Sequence, residues 1–252
     1  DLYQIPSVVA VKKDDPSEVL AVGEEAKKML GRTPEDILAV RPLKKGVIEN
    51  VAQAQALLIK AMQIGIEDGE SVGRIVIGIP GDSSEVEKNA AEEIGRKAGA
   101  ENILVISEGL AAAIGAGLPI AEPNGTMVID IGEGTADMGI ISLGGTVISK
   151  TIRFGGGDLD RAIMQYINQC FGLMVSEQTI TDIKHAIGTA VVPAEDCEFS
   201  FTGRDMTRGI VRRAVLHQSE IYEVINKRLA DFLDAIQQMI RVTAPELVAD
   251  IM

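Results

Sequence analysis

The sequence predicts an α/β fold, and two patterns carry that prediction. An apolar strand at 75–79 is followed by a helix that opens with the capping box of Ser84 and Glu87, and an apolar strand at 103–106 comes next. A strand, a helix and a strand in this order predict a parallel crossover. Further strands are then predicted as a meander, at 126–131, 136–143 and 146–153.

Other elements follow from local signals. In the first half, strands are predicted at 5–11 and 18–22, helices at 23–31 and 50–65, a loop region at 33–42 and a small-residue helix at 111–117. In the second half, helices are predicted from the glycine run at 155–158 to Phe171, at 176–188, and from a Ser219 cap to about Val242. A two-residue turn is predicted at 144–145, and a strand pair at 199–215 around a turn at 203–205. The two halves echo each other loosely, and the first is expected to end near Pro123.

Composition excludes several classes of function. The chain has 252 residues, 46% of them hydrophobic, which suffices for one large domain or two lobes. Its net charge of −13 would repel nucleic acid, so nucleic acid is not expected as a partner. Cys170 and Cys197 lack zinc-type spacing and favour a reducing cytoplasmic compartment. No apolar run approaches the ~18 residues of a membrane span.

The segment at 127–135, Met-Val-Ile-Asp-Ile-Gly-Glu-Gly-Thr, predicts a phosphate site. Gly132 and Gly134 let backbone N–H groups approach a bound oxyanion. Asp130 can hold a hydrated divalent cation, and Thr135 can hold a water or a phosphate oxygen. The segment is not a Walker loop, because Gly-Lys-Ser/Thr is absent from the sequence. An ordinary tight hairpin is the alternative.

These residues resemble a known superfamily. Asp130-Ile-Gly-Glu-Gly-Thr-Ala-Asp137 resembles the second phosphate motif of the actin and Hsp70-type ATPases, and Gly155-Gly-Gly-Asp-Leu-Asp160 resembles the stretch after it. Within the superfamily, the chain is most similar to the MreB family of bacterial actins, with magnetosome-type bacterial actins as the nearest alternative. The other segments that look like MreB are 5–10, 26–34, 41–48, 111–119 and 183–188.

The resemblance implies a two-lobed actin-like ATPase, with ribonuclease H-like lobes and a small subdomain inserted in each. The implied boundaries are a small subdomain at 1–45, a first-lobe core at 46–123, a second-lobe core at 124–157 with 219–252, and a small subdomain at 158–218. Compared with the family, the sequence is expected to be truncated at both ends. The first phosphate motif and a late glycine turn under the adenine are the expected missing parts.

The resemblance also implies ATP or ADP and Mg²⁺ as cofactors. Asp130 would face the metal, and Gly132, Glu133, Gly134 and Thr135 would contact the phosphates. Glu108 would orient or activate the attacking water, and Thr135 would help to place it. The free N–H groups of Gly155, Gly156 and Gly157, with Asp158, would meet a phosphate or the ribose. Lys184 and His185 would contact the nucleoside.

Each of these assignments has a simpler alternative. Glu108 could be a solvated loop acid, and 155–157 could be a flexible turn. Asp158 and Asp160 could be helix-capping acids, and His185 could be a partly exposed helix residue. The sequence also departs from the family pattern. The departures are Lys45 for an Asp, Gly109 for a Pro, Glu133 for a Gly, and Ala186 for a Glu that contacts the ribose.

The predicted function is that of an MreB-like actin. It would bind ATP, hydrolyse it slowly and polymerise head to tail into cytoskeletal filaments for cell-shape control. The predicted location is the cytoplasm, including the inner face of the cell membrane, with membrane-associated morphogenesis proteins as further partners. Direct membrane contact through the loop at 63–73 is not expected, because Glu67, Asp68 and Glu70 would be repelled by anionic lipid.

Three other functions stay open. The first is a magnetosome-type filament actin. The second is an Hsp70-like monomeric ATPase switch, which the spelling Asp158-Leu-Asp160 fits. The third is a scaffold that does not hydrolyse ATP, which Gly109 and Ala186 favour.

Overall fold

The computed structural model describes residues 3–44, 47–65 and 73–251. The chain forms two compact units, one with residues up to 122 and 139–149, the other with 123–138 and the residues from 150 onward. Among the described residues, no helix is both long and apolar enough to cross a membrane. The predictions about Lys45 and about Glu67, Asp68 and Glu70 lie outside these residues. The four subdomain boundaries stay a prediction.

The first unit contains both strands and helices. Its strands up to residue 107 are β1 (Val9–Lys12), β2 (Val19–Val22), β3 (Ile37–Val40), β4 (Leu43–Lys44), β5 (Val47–Ile48), β6 (Arg74–Ile79) and β7 (Asn102–Ser107). Its helices are α1 (Glu24–Met29), α2 (Val51–Gly65), α3 (Glu85–Lys97) and α4 (Glu108–Gly115).

The predicted parallel crossover is confirmed. Strands β6 and β7 pair in parallel from Arg74 opposite Asn102 to Ile79 opposite Ser107, and α3 connects them. A Cβ atom at Gly95 of α3 would lie 3.1 Å from Cγ1 of Ile103. This glycine therefore lets the helix pack closely onto the strand pair.

A strand lies where a loop region was predicted. Strand β3 pairs antiparallel with β1, whose other edge carries β2, so the strand order is β2-β1-β3. Prolines at 34 and 42 flank β3 and led to the loop prediction, which was wrong. The residues of β3 are stabilised by pairing with the buried residues Val9–Val11, a non-local contact that local sequence signals do not contain.

The predicted meander is confirmed as β8 (Thr126–Ile131), β9 (Ala136–Ser142) and β10 (Gly145–Ile152), in the order β10-β9-β8. Its second turn lies one residue earlier than predicted. Leu143 and Gly144, with φ of 52° and 74°, form the turn rather than Gly144 and Gly145. The N–H groups of Leu143 and Gly144 donate to the carbonyls of Glu122 and Ile120, which stabilises the left-handed backbone at Leu143.

The other elements form the core of the second unit. They are α5 (Gly156–Phe171), β11 (Leu173–Met174), α6 (Glu177–Ile187), β12 (Glu198–Asp205), β13 (Val211–His217), α7 (Gln218–Val242) and α8 (Pro245–Ile251). Helices α5, α6 and α7 pack with β11–β13 around buried aliphatic side chains. These side chains include Ile163, Ile167, Ile180, Ile183, Leu216 and Ile221.

Two predicted boundaries in this unit were wrong because acidic side chains shift them. The β12–β13 turn follows Asp205 rather than spanning 203–205, since that carboxylate accepts N–H bonds from Thr207 and Arg208 at 3.0 and 2.8 Å. Helix α7 begins at Gln218 rather than after a Ser219 cap. Ser219 donates its N–H to Asp196 at 2.8 Å.

We predict that Ser84→Ala destabilises the protein by about 1 kcal/mol. The Ser84 side chain accepts the Glu87 N–H at 3.3 Å, and the Glu87 carboxylate accepts the Ser84 N–H at 2.7 Å. Urea unfolding would measure the loss, with the neighbouring Ser83→Ala as the matched control. An equal loss in both variants would contradict the role of the capping box.

The same variant should show a defined pH dependence. Hydrogen bonds from the Ser84 hydroxyl and N–H lower the pKa of Glu87. A lowered pKa in the folded state contributes stability above the unfolded-state pKa, and that contribution is lost as the pH falls through the folded-state pKa. The stability difference between the protein and Ser84→Ala should therefore shrink below about pH 4, as measured by unfolding at stepped pH.

Candidate functional site

The turn between β8 and β9 is short and exposed. The Gly132 N–H donates to the Thr135 carbonyl at 2.9 Å, which closes the turn. Asp130, Gly132 and Glu133 are exposed, whereas Thr135 is half-buried. The predicted phosphate hairpin therefore presents Gly132 and the carboxylate side chains of Asp130 and Glu133 to solvent.

The glycine run at 155–157 packs directly on this turn. The N–H groups of Gly156 and Gly157 donate to the carbonyls of Gly132 and Glu133 at 2.9 and 2.8 Å. A Cβ atom at Gly155 would lie only 2.4 Å from the Glu133 carbonyl oxygen. Glycine is required at this position because backbone lies against backbone.

These contacts correct the expected chemistry of the run. The N–H groups of 155–157 were expected to be free for a phosphate or ribose. Instead, Gly156 and Gly157 donate to the neighbouring turn, and Gly155 donates to the Asp158 carboxylate at 3.2 Å. The Asp158 N–H is also engaged, by the Gly155 carbonyl at 2.9 Å. Asp158 thus caps α5, as the simpler alternative held, and Arg161 pairs with it at 2.5 Å.

Lys184 reaches this glycine run from α6. Its Nζ lies 3.2 Å from the Gly156 carbonyl oxygen and 2.8 Å from Oδ1 of Asp160. The side chain is only 18% exposed, so its ammonium is held in place. His185, the next residue, is exposed. Of the two residues predicted to contact the nucleoside, Lys184 lies at the glycine run.

The sequence patterns assigned no role at the site to two acids of this unit. Asp137 is 4% exposed, and the Thr151 hydroxyl donates to its Oδ1 at 2.6 Å. Its signal in the sequence is an acid inside the otherwise apolar strand β9. Asp160 was interpreted only as a helix-capping acid, although its carboxylate pairs with Lys184. The pairing joins α5 to α6, and sequence spacing alone does not reveal it.

Glu108 belongs to the other unit and is the first residue of α4. The helix begins three residues before the predicted small-residue helix, because the Ser107 side chain caps it by accepting the Leu110 N–H at 3.2 Å. Glu108 is half-buried and Gly109 is buried. The helix N-terminus thus orients this acid, and its role towards water stays a prediction.

The donor set fits a nucleotide better than a metal held by protein ligands alone. Among the described residues, no group of three or more His, Cys, Asp or Glu side chains could hold a metal ion. A single exposed carboxylate such as Asp130 fits Mg²⁺ that keeps its waters and is bound mainly through phosphate oxygens. The exposed glycine turn, the Thr135 hydroxyl and the Lys184 ammonium fit the polar groups of a nucleotide.

The family model described as MreB/Mbl protein matches residues 1–252. The chain belongs to the MreB/Mbl family. It is 39% identical to the cell shape-determining protein MreB of Escherichia coli (strain K12) over 252 residues, covering 98% of this chain and 72% of that one. It is also 39% identical to the cell shape-determining protein Mbl of Bacillus subtilis (strain 168), covering 98% and 74%.

Solved structures confirm the predicted actin-like fold. The crystal structure of MreB5 of Spiroplasma citri bound to ADP matches with a TM-score of 0.89 and 31% identity, over 100% of this chain and 75% of that one. The MamK double helical filament matches with a TM-score of 0.78 at 22% identity, over 98% and 76%. The second match shows the shared fold only. The recognition of an MreB-type bacterial actin is therefore confirmed.

We predict that Gly155→Ala destabilises this MreB/Mbl-family chain by about 1–3 kcal/mol, because the new methyl group would overlap main-chain atoms of Glu133. Thermal unfolding followed by circular dichroism would measure the loss. Gly115→Ala is the matched control, since a Cβ atom there has nothing within 4 Å. An unchanged midpoint in Gly155→Ala would contradict the close backbone packing.

Proposed function

We propose that this chain is an MreB-type actin that binds ATP or ADP with Mg²⁺, hydrolyses ATP slowly and polymerises head to tail. One observation supports this proposal most directly. The phosphate-type turn and the glycine run are joined by the two backbone hydrogen bonds from Gly156 and Gly157. The similar MreB5 of Spiroplasma citri was solved with ADP and with AMPPNP, which supports the same ligand class here.

In this proposal, the exposed turn binds the phosphates. The backbone at 133–134 and the Thr135 hydroxyl would contact phosphate oxygens. Gly132, whose N–H already donates to the Thr135 carbonyl, would only allow the phosphates to approach closely. Asp130 would accept hydrogen bonds from waters of the metal. Bound Mg²⁺ would neutralise phosphate charge. Lys184 would contact the nucleoside side of the ligand, whereas His185 is the weaker candidate because it is exposed.

Hydrolysis would depend mainly on placing a water. Phosphoryl transfer requires positioning and charge neutralisation more than covalent catalysis by the protein. Glu108 would orient the attacking water, with Thr135 as its second contact. The α4 cap at Ser107 fixes the backbone from which Glu108 extends, although Gly109 replaces the proline of the family pattern.

The filament would form by heterologous contacts between copies, which propagate without closing. Nucleotide state would bias the conformation and hence filament stability. We assign the subdomains to 1–45, 46–123, 124–157 with 219–252, and 158–218. The proposed location is the cytoplasm, including the inner membrane face, with membrane-associated morphogenesis proteins as additional partners and cell-shape control as the role.

Sedimentation and phosphate release would test this function together. We expect the protein to pellet with ATP and Mg²⁺ and to pellet less with ADP. Glu108→Gln should lower phosphate release by about 100-fold or more without weakening ATP binding, because it removes a general base and not a binding contact. The exposed acid Glu101 gives a matched control, Glu101→Gln, that should release phosphate at the normal rate.

The opposite results separate the rival functions. Phosphate release equal in the protein and in Glu108→Gln would favour a scaffold that does not hydrolyse ATP. ATP turnover by a species that stays monomeric in light scattering at high concentration would favour an Hsp70-like switch. Failure to pellet with any nucleotide would rule out the filament.

A further inference from the structure

The backbone N–H groups at the start of α5 are already engaged and contribute little to ligand binding. Its amides from Gly155 to Asp158 all donate within the protein, to the Asp158 carboxylate and to the carbonyls of Gly132, Glu133 and Gly155. A polar ligand at this helix start must therefore meet a side chain instead. The Lys184 ammonium lies there, 3.2 Å from the Gly156 carbonyl oxygen, whereas the Arg161 guanidinium pairs with Asp158.

The Asp160 carboxylate fixes this ammonium. Oδ1 of Asp160 is buried, and Lys184 Nζ lies 2.8 Å from it in an ion pair whose angles fall outside hydrogen-bond geometry. A buried carboxylate oxygen is costly without an opposite charge, so the pair holds both side chains in one geometry. Asp160 lies on α5 and Lys184 on α6, so the pair also holds the two helices together at the glycine run.

Gly156 is the third residue of this arrangement. A Cβ atom at Gly156 would lie 3.2 Å from Lys184 Nζ and 3.8 Å from the Gly132 carbonyl oxygen. A side chain at position 156 would therefore occupy space directly beside the Lys184 ammonium. Gly155 differs, because a Cβ atom there would meet main-chain atoms of the turn.

We infer that Asp160 is a positioning residue for the nucleotide site, which holds the Lys184 ammonium over Gly156 in the geometry that a bound nucleotide needs. The inference rests on the proposed function, since it assumes that the site binds ATP or ADP. Asp160 does not touch the ligand. It acts through Lys184, and Gly156 leaves the space in which the ammonium lies.

Whether Asp160→Asn weakens or tightens ADP binding distinguishes a positioning role of Asp160 from a purely electrostatic one. Removing a carboxylate near an anionic ligand would by itself tighten ADP binding, because repulsion falls and Lys184 loses its competing partner. If Asp160 positions Lys184, the same substitution weakens ADP binding instead. We expect the Kd for ADP to rise about tenfold, as for the loss of one hydrogen bond to a charged group.

Gly156→Ala separates this role from a structural one. Alanine at the first turn of α5 should leave the thermal midpoint unchanged or raise it, because alanine favours a helix over glycine. The new methyl group would nevertheless shift the ammonium, so the Kd for ADP should rise several-fold. A purely structural role of this region predicts that stability and affinity change together.

The experiment is a titration of fluorescent ADP into the protein and into Asp160→Asn, Gly156→Ala and the control Asp182→Asn. Asp182 also lies on α6, is exposed and accepts a bond from Gln178, so its variant should bind ADP normally. Weaker binding in Asp160→Asn and Gly156→Ala, with a thermal midpoint of Gly156→Ala that is unchanged or raised, supports the inference. Equal or tighter binding in Asp160→Asn overturns it, and so does weaker binding in Gly156→Ala that is accompanied by a lower thermal midpoint. Absence of ADP binding in the unmodified protein overturns the proposed function itself.

Discussion

The candidate site depends on a contact between two stretches of main chain. Two amides at the start of α5 donate to two carbonyls of the β8–β9 turn, at 2.9 and 2.8 Å. Each bond contributes only about 0.5–1.5 kcal/mol net, yet together they fix the position of a helix relative to a turn. Helix α5 carries Asp160, and the pair between Asp160 and Lys184 then fixes α6. The position of the ammonium therefore follows from the backbone contact.

The ligand proposed for this site is an anion, although the chain is acidic. The net charge of −13 gives an unfavourable average field. Binding of a polyanion then depends on local groups, here an exposed glycine turn and one ammonium that is only 18% exposed. The ion pair with Asp160 fixes the ammonium but also neutralises part of its charge. Precise placement and electrostatic attraction thus oppose each other at this position.

Much of the fold could be predicted from the sequence. The capping box at Ser84 and the glycine at 172 mark helix ends by local chemistry, and α3 and α5 begin and end close to where these signals lie. Strand β3 could not be predicted, because its stability comes from pairing with β1. The turn at Leu143 was misplaced for a similar reason, since carbonyls at 120 and 122 hold it from outside the hairpin.

The residue types of the candidate site could be predicted from the sequence, but the hydrogen bonds and the ion pair that connect them could not. The residue types from Asp130 to Thr135 and from 155 to 160 indicated a nucleotide site. They could not show that the amides of 155–157 are already engaged, or that Asp160 pairs with Lys184 across 24 residues of chain. Both facts depend on which groups the fold brings together.

The close packing of Gly155 against main-chain atoms limits which substitutions this position can accept during evolution. When a side chain meets a side chain, a second substitution can compensate for the first. Every residue carries a main-chain carbonyl group, so no substitution at 132 or 133 can make room for an alanine at 155. Selection for the fold alone would then preserve this glycine, whatever the activity of the protein. The presence of this glycine therefore indicates common descent, whereas catalytic activity must be inferred from other residues.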